Sequence, residues 1–275
     1  MLGSRRMSAW RAALIRLLCG LARPLQAGAT ACSYLAAGVL TRQDLASALA
    51  RLWDDLGQDD TGDPPGLLVW ESAFYLPQLR PGARILLVGC GSGRDLVPLL
   101  ERGHPADGID LAPRAIDACR QRLGRLGLSA TLHVGSIESA AFASRFDVVI
   151  FSWLCYGYIP GSPARIRALR NAREHLGPGG RVLLSYVRRE PPPARLPTQL
   201  ARLSAWLFGA RWTPEYGDLL LVTRGADGLS VHHEHHFAPE ELEHEAREAG
   251  FAIAEHVVAG HGKLVLTLPE EVSSQ

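Results

Sequence analysis

The chain has 275 residues, with 29 Lys and Arg against 28 Asp and Glu, and its formal net charge is +1. This balance excludes the broad basic surface that holds phosphates in nucleic-acid-binding proteins, so we expect no nucleic-acid partner. A hydrophobic content of 47% excludes wholesale disorder. The five cysteines form no C-x-x-C pair, which indicates neither a zinc site nor a disulfide framework and favours a reducing, cytoplasmic location.

Residues 1–65 are predicted to form a helical cap or appendage. Apolar residues recur at helical spacing from Trp10 to Leu25, with arginines on the other face. These arginines interrupt the apolar stretch, so we expect no secretion signal. The uncharged stretch from Pro24 to Thr41 is rich in Ala, Gly, Ser and Thr and is too weakly apolar for a membrane span. The helix either caps a site or packs against a partner, or lies on an anionic membrane through its basic face. An Asp-, Gly- and Pro-rich stretch from Asp54 to Gly66 is interpreted as a linker.

From Gly82 onward, apolar strands alternate with helices. The predicted strands are Arg84–Gly89, Ala106–Asp110, Ala130–Val134, Phe146–Ser152, Arg181–Val187, Phe251–Val258 and Lys263–Leu268. Helices are predicted at Asp95–Arg102, Pro113–Leu126, Pro163–Leu176 and Pro239–Ala249. Such strand–helix units with continuous apolar strands predict an α/β fold, in which a parallel sheet has helices on both faces.

A Pro-rich break at 190–193 interrupts this rhythm. Residues 194–209 have a helical pattern, and Leu219–Thr223 and Leu229–Phe237 flank a Gly-containing turn that is typical of a hairpin. We therefore predict an inserted lid of one helix and one β-hairpin over residues 188–238.

A glycine turn follows the first predicted strand. Gly89, Gly91 and Gly93 alternate in it, and such a turn exposes backbone N–H groups at a helix N-terminus. A dinucleotide site has the spacing G-x-G-x-x-G, whereas Arg94 stands here at the position of the last glycine. Asp110 ends the next strand, where a carboxylate can accept hydrogen bonds from two ribose hydroxyls.

These motifs, VGCGSGRD and GIDLAP, are followed in order by FDVVI, LGPGGRV and FAPEEL with AGF. Together they resemble class I S-adenosylmethionine-dependent methyltransferases over roughly residues 80–268. The resemblance implies a Rossmann-like, mostly parallel seven-stranded sheet in a methyltransferase domain at 66–275. It also implies S-adenosylmethionine as the cofactor and methyl transfer to an oxygen or nitrogen atom of a small molecule.

Two other functions stay open at this point. An NAD(P)-dependent oxidoreductase is disfavoured by Arg94. A non-catalytic methyltransferase-like protein, acting as a partner subunit or at a membrane surface, is supported by Leu87, because the family often has an acid there. Asp95 and Glu71 are the candidate substitutes for that acid.

The resemblance implies cofactor contacts at the ends of four strands. They are Gly89, Cys90, Gly91 and Gly93 in the turn, Asp110 and Leu111 after the second strand, Ser136 and Ile137 after the third, and Ser152 and Trp153 after the fourth. The turn is implied to line the methionine part of the cofactor and Asp110 to bind its ribose. Leu111, Ser136 and Ile137 are implied to contact the adenine.

Side chains near the acceptor are predicted with alternatives. On a strand, His232 and His236 share one face, while His233 and His235 share the other. Three interpretations are open: one histidine acts as a general base, two histidines form a metal site, or all four belong to a solvated strand. We expect no metal, because no further group of ligands is evident in the sequence. Tyr156 either contacts the sulfonium or the acceptor, or packs in the core.

Overall fold

The computed structural model describes residues 9–56, 66–189, 195–210, 212–225 and 228–269. Most of the predicted linker, the Pro-rich break and the tip of the predicted hairpin lie outside these described ranges.

The strands confirm the predicted α/β fold. They are β1 (Ile85–Val88), β2 (Ala106–Asp110), β3 (Leu132–Val134), β4 (Phe146–Phe151), β5 (Leu176–Tyr186), β6 (Asp218–Gly225), β7 (Gly228–His235), β8 (Ala252–Val257) and β9 (Gly262–Thr267). Seven of them form one sheet in the order β3-β2-β1-β4-β5-β9-β8. In this sheet β9 runs antiparallel to both of its neighbours, and the other pairs are parallel. The remaining strands, β6 and β7, pair as the predicted hairpin.

The predicted helices are present, α3 is additional, and the boundaries of helix α2 and of strand β5 differ from those expected. They are α1 (Ala9–Val39), α2 (Arg42–Leu56), α3 (Val69–Tyr75), α4 (Leu96–Glu101), α5 (Pro113–Leu126), α6 (Ser162–Glu174), α7 (Arg195–Phe208) and α8 (Pro239–Glu248). α2 continues into the predicted linker, where the Asp54 carboxylate accepts the backbone N–H of Arg114 at the start of α5. β5 begins at Leu176, before its glycines, because this residue already pairs with Phe146 of β4.

Both faces of the sheet are buried, which explains the continuous apolar sequence of β1. Leu86 and Val88 belong to one hydrophobic cluster, and Ile85 and Leu87 belong to another. Successive residues of a strand point to opposite faces, so the two clusters cover the two sides of the sheet. The carboxyl ends of β1, β2 and β4 meet at one edge, which is where sheets of this kind bind ligands.

The N-terminal helices and the lid share one hydrophobic core although they are distant in sequence. The buried members of this core are Tyr34, Ala37, Leu45, Ala48, Ala201, Ala205, Ala210, Trp212, Leu220 and Val231. Trp212 donates its indole N–H to the Leu40 carbonyl at 2.7 Å, which joins the lid to the end of α1. The predicted N-terminal cap and the predicted lid therefore pack as one unit of α1, α2, α7, β6 and β7, which we call the cap.

A buried arginine joins the cap to the sheet. Arg165 on α6 is 1% exposed, and its Nη2 lies 2.7 Å from Glu245 Oε1 on α8 and 2.8 Å from Glu215 Oε2 beside β6. Burial alone would lower the pKa of Arg165, but the two carboxylates raise it above its usual value, so the guanidinium stays charged. Tyr156 donates its hydroxyl to the other oxygen of Glu245 at 2.8 Å.

Replacing Arg165→Met should lower the free energy of unfolding by about 3–5 kcal/mol, because Glu245 would remain as an unpaired buried charge. The double variant Arg165→Met/Glu245→Leu should recover most of this loss, since neither charge remains. Chemical denaturation measures both changes. Arg120→Met is the control, because Arg120 pairs with Asp117 on the surface and its loss should cost less than about 1 kcal/mol. Equal losses for Arg165→Met and the control would contradict the assigned role.

Candidate active site

A cavity of about 910 Å³ lies at the carboxyl ends of β1, β2 and β4. Helix α2 of the cap forms its opposite wall, so the cavity is bounded by the sheet on one side and by the cap on the other. β1 lies between β2 and β4 in the sheet, which makes this edge the point where the strand order reverses. α/β sheets bind ligands in the crevice at such a point.

The turn after β1 lines the cavity with backbone. Gly89 and Gly93 have φ angles of +74° and +90°, a left-handed conformation that favours glycine. A Cβ on Gly89 would lie 2.9 Å from Cβ of Cys155, and one on Gly93 would lie 2.9 Å from Sγ of Cys119. A Cβ on Gly91 would meet no atom within 4 Å, so there is open space for a ligand beside this backbone.

Asp110 at the end of β2 is held beside this turn. Its Oδ2 accepts the N–H of Gly91 at 2.8 Å, and its Oδ1 accepts the N–H of Ala112 at 2.9 Å. A carboxylate offers about four acceptor positions, so others remain for hydroxyl donors in the cavity. Burial raises the pKa of Asp110, and the two N–H groups act in the opposite direction. The structure thus brings the glycine turn and this carboxylate together.

Two opposite charges follow the last glycine of the turn. The Arg94 guanidinium forms two hydrogen bonds with Glu71 of α3, at 2.9 and 2.6 Å, and pairs with Asp95 at 2.7 Å. Asp95 also accepts the hydroxyl of Ser152 at 2.5 Å, which ties the turn to the end of β4. Arg94 and Asp95 line the cavity, whereas the fully buried Glu71 does not. Of the two acids considered as substitutes at Leu87, only Asp95 therefore reaches the cavity.

Backbone strain marks the end of β4. Trp153 and Leu154 have φ angles of +31° and +60°, which residues other than glycine rarely adopt. The indole of Trp153 lines the cavity, and the guanidinium carbon of Arg94 lies 4.7 Å from its ring centroid. Strain of this kind costs about 1–3 kcal/mol per residue and is concentrated at ligand sites. The surrounding contacts, rather than local preference, therefore hold Trp153 in place.

The cap contributes side chains that the sequence analysis missed. The cavity-lining residues of α2 are Arg42, Gln43, Ala46, Leu49 and Trp53. Trp53 meets Tyr158 edge to face, with the ring centroids 5.0 Å apart, so the cap and the residues after β4 touch across the cavity wall. The helical spacing of these residues was available in the sequence, but it does not say what the face would meet.

Nine of the ten predicted cofactor-binding residues line the cavity. They are Gly89, Cys90, Gly91, Asp110, Leu111, Ser136, Ile137, Ser152 and Trp153. The tenth, Gly93, lies behind the turn against Cys119. The ends of four strands therefore converge on one site.

The four predicted histidines do not line the cavity. His233 and His235 are buried, and their ring nitrogens lie 3.3 and 2.7 Å from Oδ1 of Asp218 within the cap. His232 and His236 lie on the other face, and their Nε2 atoms are 3.7 and 3.6 Å from Oε2 of Glu234. The expected alternation of the histidines is therefore present. The expectation of a histidine base in the cavity is corrected, because the histidines on each face of the strand lie next to a carboxylate outside the cavity.

Tyr156 is a second correction. Its ring is fully buried and packs on Phe237 with centroids 5.7 Å apart, and its hydroxyl bonds to Glu245. It therefore belongs to the core, which was the alternative interpretation. Tyr158, two residues later, lines the cavity instead.

Part of the cap resembles a set of metal ligands. Glu215, Asp218 and His235 each place one potential ligand atom within 4.8 Å of the others. The carboxylates are already engaged, because Asp218 bonds to His235 and Glu215 bonds to Arg165. The cluster thus acts as an ion-pair network inside the cap, and the expectation of no bound metal stays a prediction.

The same network links stability to pH. Burial alone would raise the pKa of Asp218, but His233 and His235 hold it well below its usual value. Burial alone would lower the pKa of His235, but the hydrogen bond to Asp218 and the nearby carboxylate of Glu241, 3.5 Å from Nε2, raise it. The contribution of protonated His235 to the free energy of unfolding is fully present below about pH 6.5. It is lost as the pH rises through the pKa that His235 has in the folded chain. The contribution of Asp218 is present above about pH 3.9 and is lost on acidification.

We therefore expect the free energy of unfolding to fall as the pH rises above about 6.5, and His235→Gln to abolish part of this fall. Denaturation curves at several pH values measure the slope. His261→Gln is the control, because this exposed histidine lies outside the network. A wild-type slope in His235→Gln would show that this residue does not titrate as assigned.

Comparison with known proteins agrees with this geometry. A family model described as a methyltransferase domain matches residues 85–180, from β1 into β5. The ubiquinone biosynthesis O-methyltransferase of Xanthomonas axonopodis pv. citri is 32% identical over 184 residues, which are 64% of this chain and 73% of that relative. Relatives of the same name from Xanthomonas campestris pv. campestris and Cereibacter sphaeroides are 30 and 31% identical, and the chain spans about half of their length, 57 and 51%.

Solved structures share the fold. The CcbJ methyltransferase from Streptomyces caelestis superposes with a TM-score of 0.58 at 18% identity, covering 78% of this chain and 96% of that chain. A SAM-dependent methyltransferase from Methanosarcina mazei gives 0.55 at 21% identity, covering 74% of this chain and 98% of that chain.

Proposed function

The chain belongs to the S-adenosylmethionine-dependent methyltransferases, and from this premise we propose that it methylates an oxygen or nitrogen atom of a small molecule. The observation that carries the proposal is the cavity at the switch point of the sheet, where Asp110 is held beside open backbone at Gly91. A cavity of this volume suits a cofactor together with a small acceptor.

The lining fits S-adenosylmethionine part by part. The free acceptor positions of Asp110 suit the two ribose hydroxyls, and Leu111 and Ser136 extend the lining on the adenine side. The adjacent charges of Arg94 and Asp95 suit the carboxylate and the ammonium of the methionine part. Asp95 would then supply the negative charge that is missing at Leu87.

When bound, this cofactor supplies a methyl group on a positively charged sulfur. Trp153, Tyr158 and Trp53 border the cavity, and their aromatic faces favour a cation and an apolar acceptor while they exclude water. No histidine lines the cavity among the described residues. We assign to the residues named here the alignment of the acceptor and the exclusion of water.

The acceptor atom stays open between oxygen and nitrogen. The relative from Xanthomonas axonopodis pv. citri is a ubiquinone biosynthesis O-methyltransferase, whereas the structural neighbour MtfA is a glycopeptide N-methyltransferase.

We also propose a methyltransferase domain at 66–275 that carries the inserted lid 188–238, with residues 1–65 preceding it. All five cysteines are free thiols, which supports a reducing compartment such as the cytoplasm.

Asp110→Ala should weaken the binding of S-adenosylmethionine at least about tenfold, because hydrogen bonds to a charged group are worth about 1.5–3 kcal/mol. Isothermal titration calorimetry measures the affinity. Asp117→Ala is the matched control, because this carboxylate is exposed on α5 and should leave the affinity unchanged. A wild-type chain that binds NAD or NADP and not S-adenosylmethionine would refute the proposal.

The double variant Arg94→Gln/Glu71→Gln tests the methionine end and avoids leaving an unpaired buried glutamate. It should weaken S-adenosylmethionine binding at least about tenfold and change the affinity for 5′-methylthioadenosine, which lacks the amino-acid part, by less than about twofold. Thermal unfolding checks that the variant is folded. Equal losses for both ligands would mean that Arg94 only shapes the turn.

A further inference from the structure

The N-terminal half of α1 carries an uncovered apolar face. Every residue between 14 and 30 whose side chain the structure describes is exposed. Leu14, Leu17, Leu21 and Leu25 recur at spacings of three and four, so they share one side of the helix, and they are 46–75% exposed. We call them the leucine face. A helix gains most of its stability from packing such a face, so this face indicates a partner.

α1 and α7 pack closely and run antiparallel. A Cβ on Gly38 would lie 2.3 Å from the carbonyl oxygen of Ala201, and Ser204 donates its hydroxyl to the Leu35 carbonyl at 2.8 Å. Residues nearer the N-terminus of α1 therefore lie beside residues nearer the C-terminus of α7. This register brings the C-terminal end of α7 level with the C-terminal end of the exposed stretch of α1, near residue 30.

The end of α7 is itself apolar and exposed. Trp206, Leu207 and Phe208 are 77%, 61% and 66% exposed. We call these three residues the aromatic end. Tryptophan is enriched where proteins meet the headgroup region of a bilayer, because its ring is apolar and its N–H is polar. The leucine face and the aromatic end thus present apolar surface from two neighbouring helices.

The sequence around this surface has charges of one sign. Residues 1–41 contain five arginines and no Asp or Glu, and residues 195–214 contain three arginines and no Asp or Glu. A second copy of the chain would place positive charge against positive charge, whereas an anionic surface complements it. None of the described helices, α1 included, combines the length and hydropathy needed to cross a bilayer. A helix with one apolar and one basic face can lie in the interface plane of a bilayer.

We propose that the leucine face of α1 and the aromatic end of α7 dock on an anionic lipid surface. The leucines and Trp206 enter the boundary between headgroups and acyl chains, and the arginines pair with lipid phosphates. This surface lies outside the lining of the active-site cavity, so docking does not require cofactor binding.

Vesicle flotation with the full chain tests the proposal. We expect the chain to float with vesicles of phosphatidylcholine and phosphatidylglycerol at least about tenfold more than with phosphatidylcholine alone, and less in about 0.5 M salt than in about 0.05 M salt. Leu17→Asp/Leu21→Asp and Trp206→Ser should each reduce flotation, and Arg16→Glu should reduce it only with the anionic vesicles. All these side chains are exposed, so thermal unfolding should stay unchanged.

Leu126→Asp and Arg120→Glu are the matched controls, because both side chains are exposed on α5, away from α1 and α7. They should float like the wild-type chain. Equal flotation with both vesicle types, or wild-type flotation of Leu17→Asp/Leu21→Asp, would overturn the proposal. So would a chain that ignores both vesicles and forms a dimer that this double variant dissociates in sedimentation velocity, since a second copy would then cover the leucine face.

Discussion

The parallel pairing of β1 with β2 is the constraint on which the site depends. The register places Val88 opposite Ile109, so Asp110 is the next residue along and stands beside the glycine turn. The turn can pack on β2 because Gly108 has no side chain; a Cβ there would lie 2.8 Å from Sγ of Cys90. A slip of one residue would turn the Asp110 carboxylate to the opposite face of the sheet. The hydrogen bond from Gly91 to Asp110 therefore depends on the register of β1 against β2 and on the glycine at position 108.

The elements that the sequence predicts well are those with a local physical signal. β1 is a continuous apolar run, and β4 contains one from Val148 to Phe151, because helices cover both faces of the sheet. α5 begins at a proline and is capped by Gly127, which has a φ of +66°. The order of strands, turn and carboxylate places Asp110 near Gly91 because parallel strands share one carboxyl edge. These predictions needed only the types of residue and their order along the chain.

The remaining parts of the site depend on which surfaces meet, and spacing along the chain does not contain that information. Alternation showed that His233 and His235 share a face of β7, but not that the face turns inward onto Asp218 rather than toward the cavity. In the same way, the spacing of α2 showed an apolar face without showing that Trp53 would reach Tyr158. Tyr156 and Tyr158 are two residues apart, yet one is in the core and the other lines the cavity.

The cap connects the two surfaces that the structure offers to ligands. α1 leads into α2 through a short turn at Thr41, whose backbone N–H and hydroxyl both donate to the carboxylate of Asp44, at 2.9 and 2.7 Å. These bonds fix the start of α2, and Arg42, the first residue of α2, already lines the cavity. One core joins the C-terminal half of α1 to α2 and α7. The helix that carries the exposed leucines therefore also packs, through its other end, against the helix that forms the cavity wall.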